Sequence, residues 1–277
     1  MTILYKFVSS REAVIAMARG SLKFTKIDEL NDPSELVPLM NREAVRNSLA
    51  AIRTHGYDDR QFGWLGHQEA VLRLLSPETR ILSRPATLEL ANRTLAMTVY
   101  DNLDFMEEQV LRTITLIRSR VGVLSLTERF DSLPMWAHYG TQGKGYALQF
   151  KGLGQEFCGD ETGSLNALKP VSYVEDFVGL THDPSTQDNL FFCKLQDWKY
   201  EREWRVVSAL SACKLNSNNV PLRSVYPAYV SGVIVGWNVP ASETACLALE
   251  LRQINPTFQV RTAQLERGRV VLTDARI

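Results

Sequence analysis

The sequence predicts an α+β fold, and three features carry that expectation. Short runs rich in β-branched and aromatic residues open the chain and then recur after residue 121. Between about Pro33 and Arg120 helix formers dominate and β-branched runs are scarce. No internal repeat recurs at any period of roughly 20–50 residues. The chain therefore reads as a single domain, 1–277, with a β-rich core made by 1–35 and 121–277 and a helical insertion or lid at 36–120.

Taken in order, Ile3 to Val8 alternates as a strand does, Ser9 or Ser10 can cap a following helix, and Gly20 stands where a left-handed C-terminal cap belongs. Leu22 to Thr25 reads as a short strand. Asn31-Asp32-Pro33 is a turn signal, after which Ser34-Glu35 can restart a helix. The clearest helix spans Ala86 to Arg120, where Leu88, Leu95, Val99, Leu103, Met106, Val110, Ile114 and Ile117 recur at roughly helical spacing. Strands follow at Val121 to Thr127, Gly145 to Phe150, Leu168 to Tyr173, Glu201 to Leu210, Val230 to Gly236, Phe258 to Leu265 and Val270 to Thr273. Two helical patches interrupt them, near Ser132 to Gly140 and Ser242 to Gln253.

Composition narrows the function classes. Lys plus Arg and Asp plus Glu each total 31, so the formal net charge is zero, and a pervasive basic coat for nucleic acid or anionic lipid is excluded. A local basic cluster remains compatible with that total. With 45% hydrophobic and 22% charged residues the chain has the make-up of a globular protein with a substantial core. Cys158, Cys193, Cys213 and Cys246 are far apart and form no CxxC pair. The start of the chain has no long apolar stretch, and no run approaches the roughly 18 apolar residues that cross a bilayer. A cytoplasmic protein with no membrane partner is the expectation.

Candidate chemistry concentrates in Phe191 to Val207. Five aromatic side chains fall between Phe191 and Trp204, followed by the charged alternation Glu201-Arg202-Glu203-Trp204-Arg205. If Glu201 to Val207 is a strand, Glu201, Glu203 and Arg205 share one face. Two carboxylates there repel and raise a pKa unless a cation is close, which suits hydrogen bonding to ribose hydroxyls and stabilising charge at an anomeric carbon. The alternative is a solvated ion-pair ladder of small energetic value. A second cluster runs from Leu124-Ser125-Leu126-Thr127 to Asp131 and on to Gly140. Trp136 and Tyr139, three apart on a short helix, would make an aromatic wall for a planar ring, or Trp136 would be core with His138 at its edge. Gly143-Lys144-Gly145 reads as a hairpin turn and matches no phosphate-binding motif. The four histidines, His55, His67, His138 and His182, show no ligand spacing, so no metal is expected, and no GxSxG or nucleophilic cysteine context is present.

Five ordered motifs carry a family resemblance: Leu4-Tyr5-Lys6-Phe7; Leu30-Asn31-Asp32-Pro33-Ser34-Glu35; Met135-Trp136-Ala137-His138-Tyr139; Gly145 to Phe150; and Lys194, Trp198 and Tyr200-Glu201-Arg202-Glu203-Trp204-Arg205. Together they resemble the bacterial domain-of-unknown-function family 2971 from about residue 3 to residue 236. More weakly, the order of elements is similar to the ADP-ribosyltransferase fold of DarT-type toxins, which implies an ADP-ribosyltransferase-like core. That resemblance implies NAD as substrate, Glu203 on the ribose 2′-hydroxyl and Glu201 two residues earlier serving the acceptor. It implies a dinucleotide site made by Tyr5, Lys6, Ser125, Trp136, Tyr139, Lys194 and Arg205, with Tyr5 and Lys6 standing where that class carries an Arg or His. The corresponding role is a toxin or anti-phage effector with a nucleic-acid or protein acceptor and a neutralising partner protein. The alternatives are an NAD glycohydrolase at the same site and a non-enzymatic nucleotide- or partner-sensing module.

Overall fold

The computed structural model describes residues 2–32, 34, 41–55, 103–159, 165–177, 179 and 191–274. In chain order these form β1 (Ile3–Val8), α1 (Arg11–Ala18), β2 (Ser21–Lys23), β3 (Thr25–Lys26), α2 (Arg42–His55), α3 (Leu103–Arg120), β4 (Val121–Thr127) and α4 (Leu133–His138). They continue with β5 (Tyr146–Lys151), β6 (Leu168–Pro170), β7 (Ser172–Val174), β8 (Cys193–Leu195), β9 (Glu203–Ala209), β10 (Lys214–Leu215) and β11 (Pro221–Ser224). The last elements are β12 (Val230–Val235), α5 (Ala241–Ile254), β13 (Gln259–Glu266) and β14 (Arg269–Asp274). The fold is α+β, built on a large mixed sheet.

Local chemistry sets the element boundaries. The Ser10 hydroxyl accepts the Ala13 N–H and caps α1, and Gly20 ends it at φ +85°, with its N–H on the Met17 carbonyl at 2.8 Å. The helix expected from Ala86 is seen over Leu103–Arg120; its earlier part, the helix expected from Ser34-Glu35, and the middle of the 36–120 block lie outside the described residues. Gly143-Lys144-Gly145 makes no hairpin: it is a tight turn that brings the chain from α4 into β5, with the Gly143 backbone against Trp237.

The main sheet runs β14-β13-β12-β5-β1-β4-β9-β6, with β3 also paired to β4. Its neighbours are antiparallel except β12 and β13, which are parallel and joined by α5. One face buries Leu4, Leu124, Leu148, Phe150 and Val206 against Val14 and Met17 of α1 and Leu247 and Leu251 of α5. The other buries Phe7, Ala147, Ile234 and Ala263 with Trp136 of α4.

Beside β4 the sheet forks. β1 meets β4 only at Tyr5↔Thr127, whereas β3 takes up the far end of β4 at Thr25↔Val123 and Lys26↔Gly122. Between those pairings β1 and β4 part. A cleft of about 300 Å³ opens there, lined by Lys6 and Phe7 on one side, Ser125 and Leu126 on the other and Thr25 beyond.

Candidate functional site

A single rung of the sheet supplies the floor of the cleft. Tyr5 of β1 lies opposite Thr127 of β4, which lies opposite Glu203, the first residue of β9. The strand does not begin at Glu201 as expected. Gln196–Glu201 is a 3₁₀ turn, and Arg202 takes φ +43°, so the chain kinks between the two carboxylates. Both nonetheless reach the same cation, because parallel pairing of β7 with β8 sets Lys194 beside Tyr173 and next to them.

The result is a buried ionic array. Lys194 Nζ sits 2.7 Å from Glu201 Oε2 and 3.0 Å from Glu203 Oε2, and 4.8 Å from the centre of the Trp198 ring. Arg205 grips Glu203 bidentately, Nε on Oε1 at 2.6 Å and Nη2 on Oε2 at 2.9 Å, and its Nη1 donates to the Phe191 carbonyl at 3.0 Å. Tyr139 donates its hydroxyl proton to Glu201 Oε1 at 2.6 Å and accepts from Asn31 Nδ2 at 2.7 Å. The Glu203 N–H donates to the Tyr173 hydroxyl at 2.8 Å. The relative exposures of Lys194, Glu201, Glu203 and Arg205 are 2%, 3%, 5% and 1%. The solvated ladder is thereby overturned: these charges are enclosed, so their pairing is strong and their isolation would be costly.

The two carboxyls are driven apart in acidity. Burial pushes Glu203 up, but the Arg205 guanidinium and the Lys194 ammonium outweigh it and hold that carboxyl well below its usual value. Burial also pushes Glu201 up, and there Lys194 and the Tyr139 hydroxyl do not fully offset burial and the neighbouring Glu203 charge. Tyr139 is raised by burial and by facing Glu201, and Tyr173 is raised to about 12 by burial. Burial lowers the Lys6 ammonium to about 8 despite the attraction of Glu203 and Glu201. A locked anion beside a carboxyl with raised proton affinity gives the cleft one fixed charge and one group suited to proton transfer.

Of the residues expected to form a site, Tyr5, Lys6, Ser125, Tyr139, Lys194, Glu201 and Glu203 line this one cleft. Trp136 does not. The helix ends at His138 with Tyr139 as its cap, so the two rings part: Trp136 is fully buried between Phe7 and Trp237, its indole N–H on the Phe130 carbonyl at 2.7 Å. Arg205 also stands off the cleft, behind Glu203. His138 is exposed. Asn31 and Tyr173 join the site through contacts that the sequence does not announce. Asn31 stands out only as part of a turn and of the family motif around it, and nothing in the sequence marks Tyr173 apart from its place at the end of a strand. Among the described residues no cluster of three or more His, Cys, Asp or Glu is arranged to hold a metal, and no helix is long and apolar enough to cross a membrane.

Compared with protein families, residues 135–206 match the model described as Protein of unknown function (DUF2971). Over those residues the match bears out the family resemblance, and it spans Tyr139, Lys194, Glu201, Glu203 and Arg205 of the ionic array; the motifs at 4–7 and 30–35 lie outside it. Its description names no activity. No curated protein and no solved structure matches the chain.

Proposed function

We propose that the protein is an NAD-consuming ADP-ribosyltransferase working in the forked cleft. The observation that supports this most is the pair Glu201 and Glu203, held on one lysine at the floor of a cleft whose lining mixes tyrosine, lysine and hydroxyl side chains with the apolar Phe7, Leu30, Leu126 and Met135. Such a site suits a sugar whose anomeric carbon becomes positive as its leaving group departs.

Counting acceptor positions divides the roles. An ionised carboxylate has about four lone-pair sites. At Glu203, Arg205 fills two, and Lys194 and the Ser125 hydroxyl draw on the rest. At Glu201, among the described residues, only Tyr139 and Lys194 are bound. Glu201 is therefore the carboxylate with room for a ribose hydroxyl or an acceptor, and Glu203 supplies fixed negative charge. This reverses the emphasis expected from the sequence, where Glu203 takes the ribose. Nicotinamide lies against Tyr139. Lys6 and Lys23 face the pyrophosphate, in place of the enclosed Arg205.

In the reaction the bond between the ribose anomeric carbon and the nicotinamide nitrogen breaks, and its electron pair neutralises the pyridinium ring. An acceptor O–H or N–H attacks that carbon, and its proton passes to Glu201. The role that fits is a toxin or defence effector acting on a nucleic acid or protein; with water as acceptor the same site is an NAD glycohydrolase.

The test is nicotinamide release from NAD by the purified full chain. Glu201→Gln is expected to lower turnover by about 10²–10⁴-fold while the protein stays folded. Undiminished release in Glu201→Gln, or saturable NAD binding with no release by the wild type, would sink the assignment.

A further inference from the structure

Lys6 occupies an unusual position. It belongs to β1, central in the main sheet, its backbone opposite Leu148, and its side chain enters the fork of the sheet. Lys194, across the cleft, is clamped by two carboxylates. Among the described residues the Lys6 ammonium makes neither a hydrogen bond nor an ion pair. The charged groups acting on it are Glu203 and Glu201, which attract it, and Lys23, which repels it; Lys194, Glu29, Tyr5 and Tyr139 complete the titratable lining. A half-buried ammonium with no fixed partner gives up its proton more readily than a fully solvated one, which brings the nucleophilic amine within reach.

We propose that Lys6 is a carbonyl-capturing amine, forming an imine with a small aldehyde or ketone in the cleft, with Glu201 as the proton relay. The Lys6 nitrogen attacks the carbonyl carbon, and the carbonyl oxygen takes a proton from Glu201. The carbinolamine then loses that oxygen as water as the carbon–nitrogen double bond forms. The two hydrogens of the water come in net from the amine, one of them returned through Glu201. No oxidant or reductant is required. Glu201 suits the relay because it lines the same cleft and burial raises its proton affinity.

The inference goes beyond the transferase reading, and its test contains no NAD, so either can fail alone. The full chain is exposed to pyridoxal, the imine is fixed with borohydride, and the modified lysines are located by peptide mapping. Lys6 is expected to react about ten-fold faster than the exposed Lys199 and Lys214, since burial lowers its ammonium to about 8. Its rate should level off above about pH 8. Lys6→Met should abolish the fast phase alone, and Glu201→Gln should slow it by about ten-fold or more. Labelling of Lys6 no faster than Lys199, or a rate still climbing above pH 10, would overturn the proposal on the wild type alone. An unchanged rate in Glu201→Gln would remove Glu201 from it.

Discussion

Lys194 is one positive charge shared by two carboxylates, and Arg205 holds one of those carboxylates from behind. Because all four groups are enclosed, removing one leaves another uncompensated. Glu203→Ala strips the bidentate partner from Arg205 and should lower the unfolding free energy by about 3–5 kcal/mol in urea titration. The same array gives a pH signature. Glu203 has its carboxyl depressed on folding, so the stability it contributes is complete above the unfolded carboxylate value of about 4.5 and is lost as pH falls toward the folded value near 2. Glu201 runs the other way: its carboxyl is raised, so its contribution is present at low pH and disappears as pH rises through its folded value. Melting temperature should fall steeply below about pH 4.5, and Glu203→Gln should remove that component of the slope; an identical slope in the variant would contradict the ion-pair geometry.

Elements matter here mainly through where they stop. The break between the 3₁₀ turn and β9 turns Glu201 toward Tyr139, and the end of α4 at His138 separates Tyr139 from Trp136. The turn after α4 is fixed by Gly143, at φ +81°, where an added Cβ would stand 2.3 Å from the Trp237 ring. Gly143→Ala is thus expected to cost about 2 kcal/mol or more in denaturant unfolding, combining left-handed strain with a clash against a packed ring. Alternation and caps made β1, β4, α1 and α5 readable in the sequence to within a residue or so. β8, β10 and β11 were not, since two to four residues are too few to show a period, and they are fixed by neighbours remote in sequence. The carboxylate pair was likewise found through a strand that starts two residues later; what unites Glu201 and Glu203 is Lys194, and a tertiary contact of that kind leaves no periodic trace.

At the level of the whole molecule, protection should follow the order of the sheet. β1, β4 and β5 lie inside it and are packed on both faces, whereas β14 is its last strand and carries half-exposed residues. Native-state hydrogen exchange should show the amides of β1 and β5 opening with the global unfolding free energy and those of β14 opening well below it; equal protection along the sheet would contradict this hierarchy. The fork has a consequence in time as well as in space. Tyr5 and Lys6 must wait for Thr127, then Gln149 and Leu148, and finally Glu203 before the cleft has its walls and floor. At a synthesis rate of roughly 5–20 residues per second, about 200 residues separate the first wall from the last, a lag on the order of 10–40 seconds. Throughout that interval the nascent chain carries the first half of the cleft without the second, so a ribosome-bound fragment is inert and any chemistry housed there switches on only once the late strands dock.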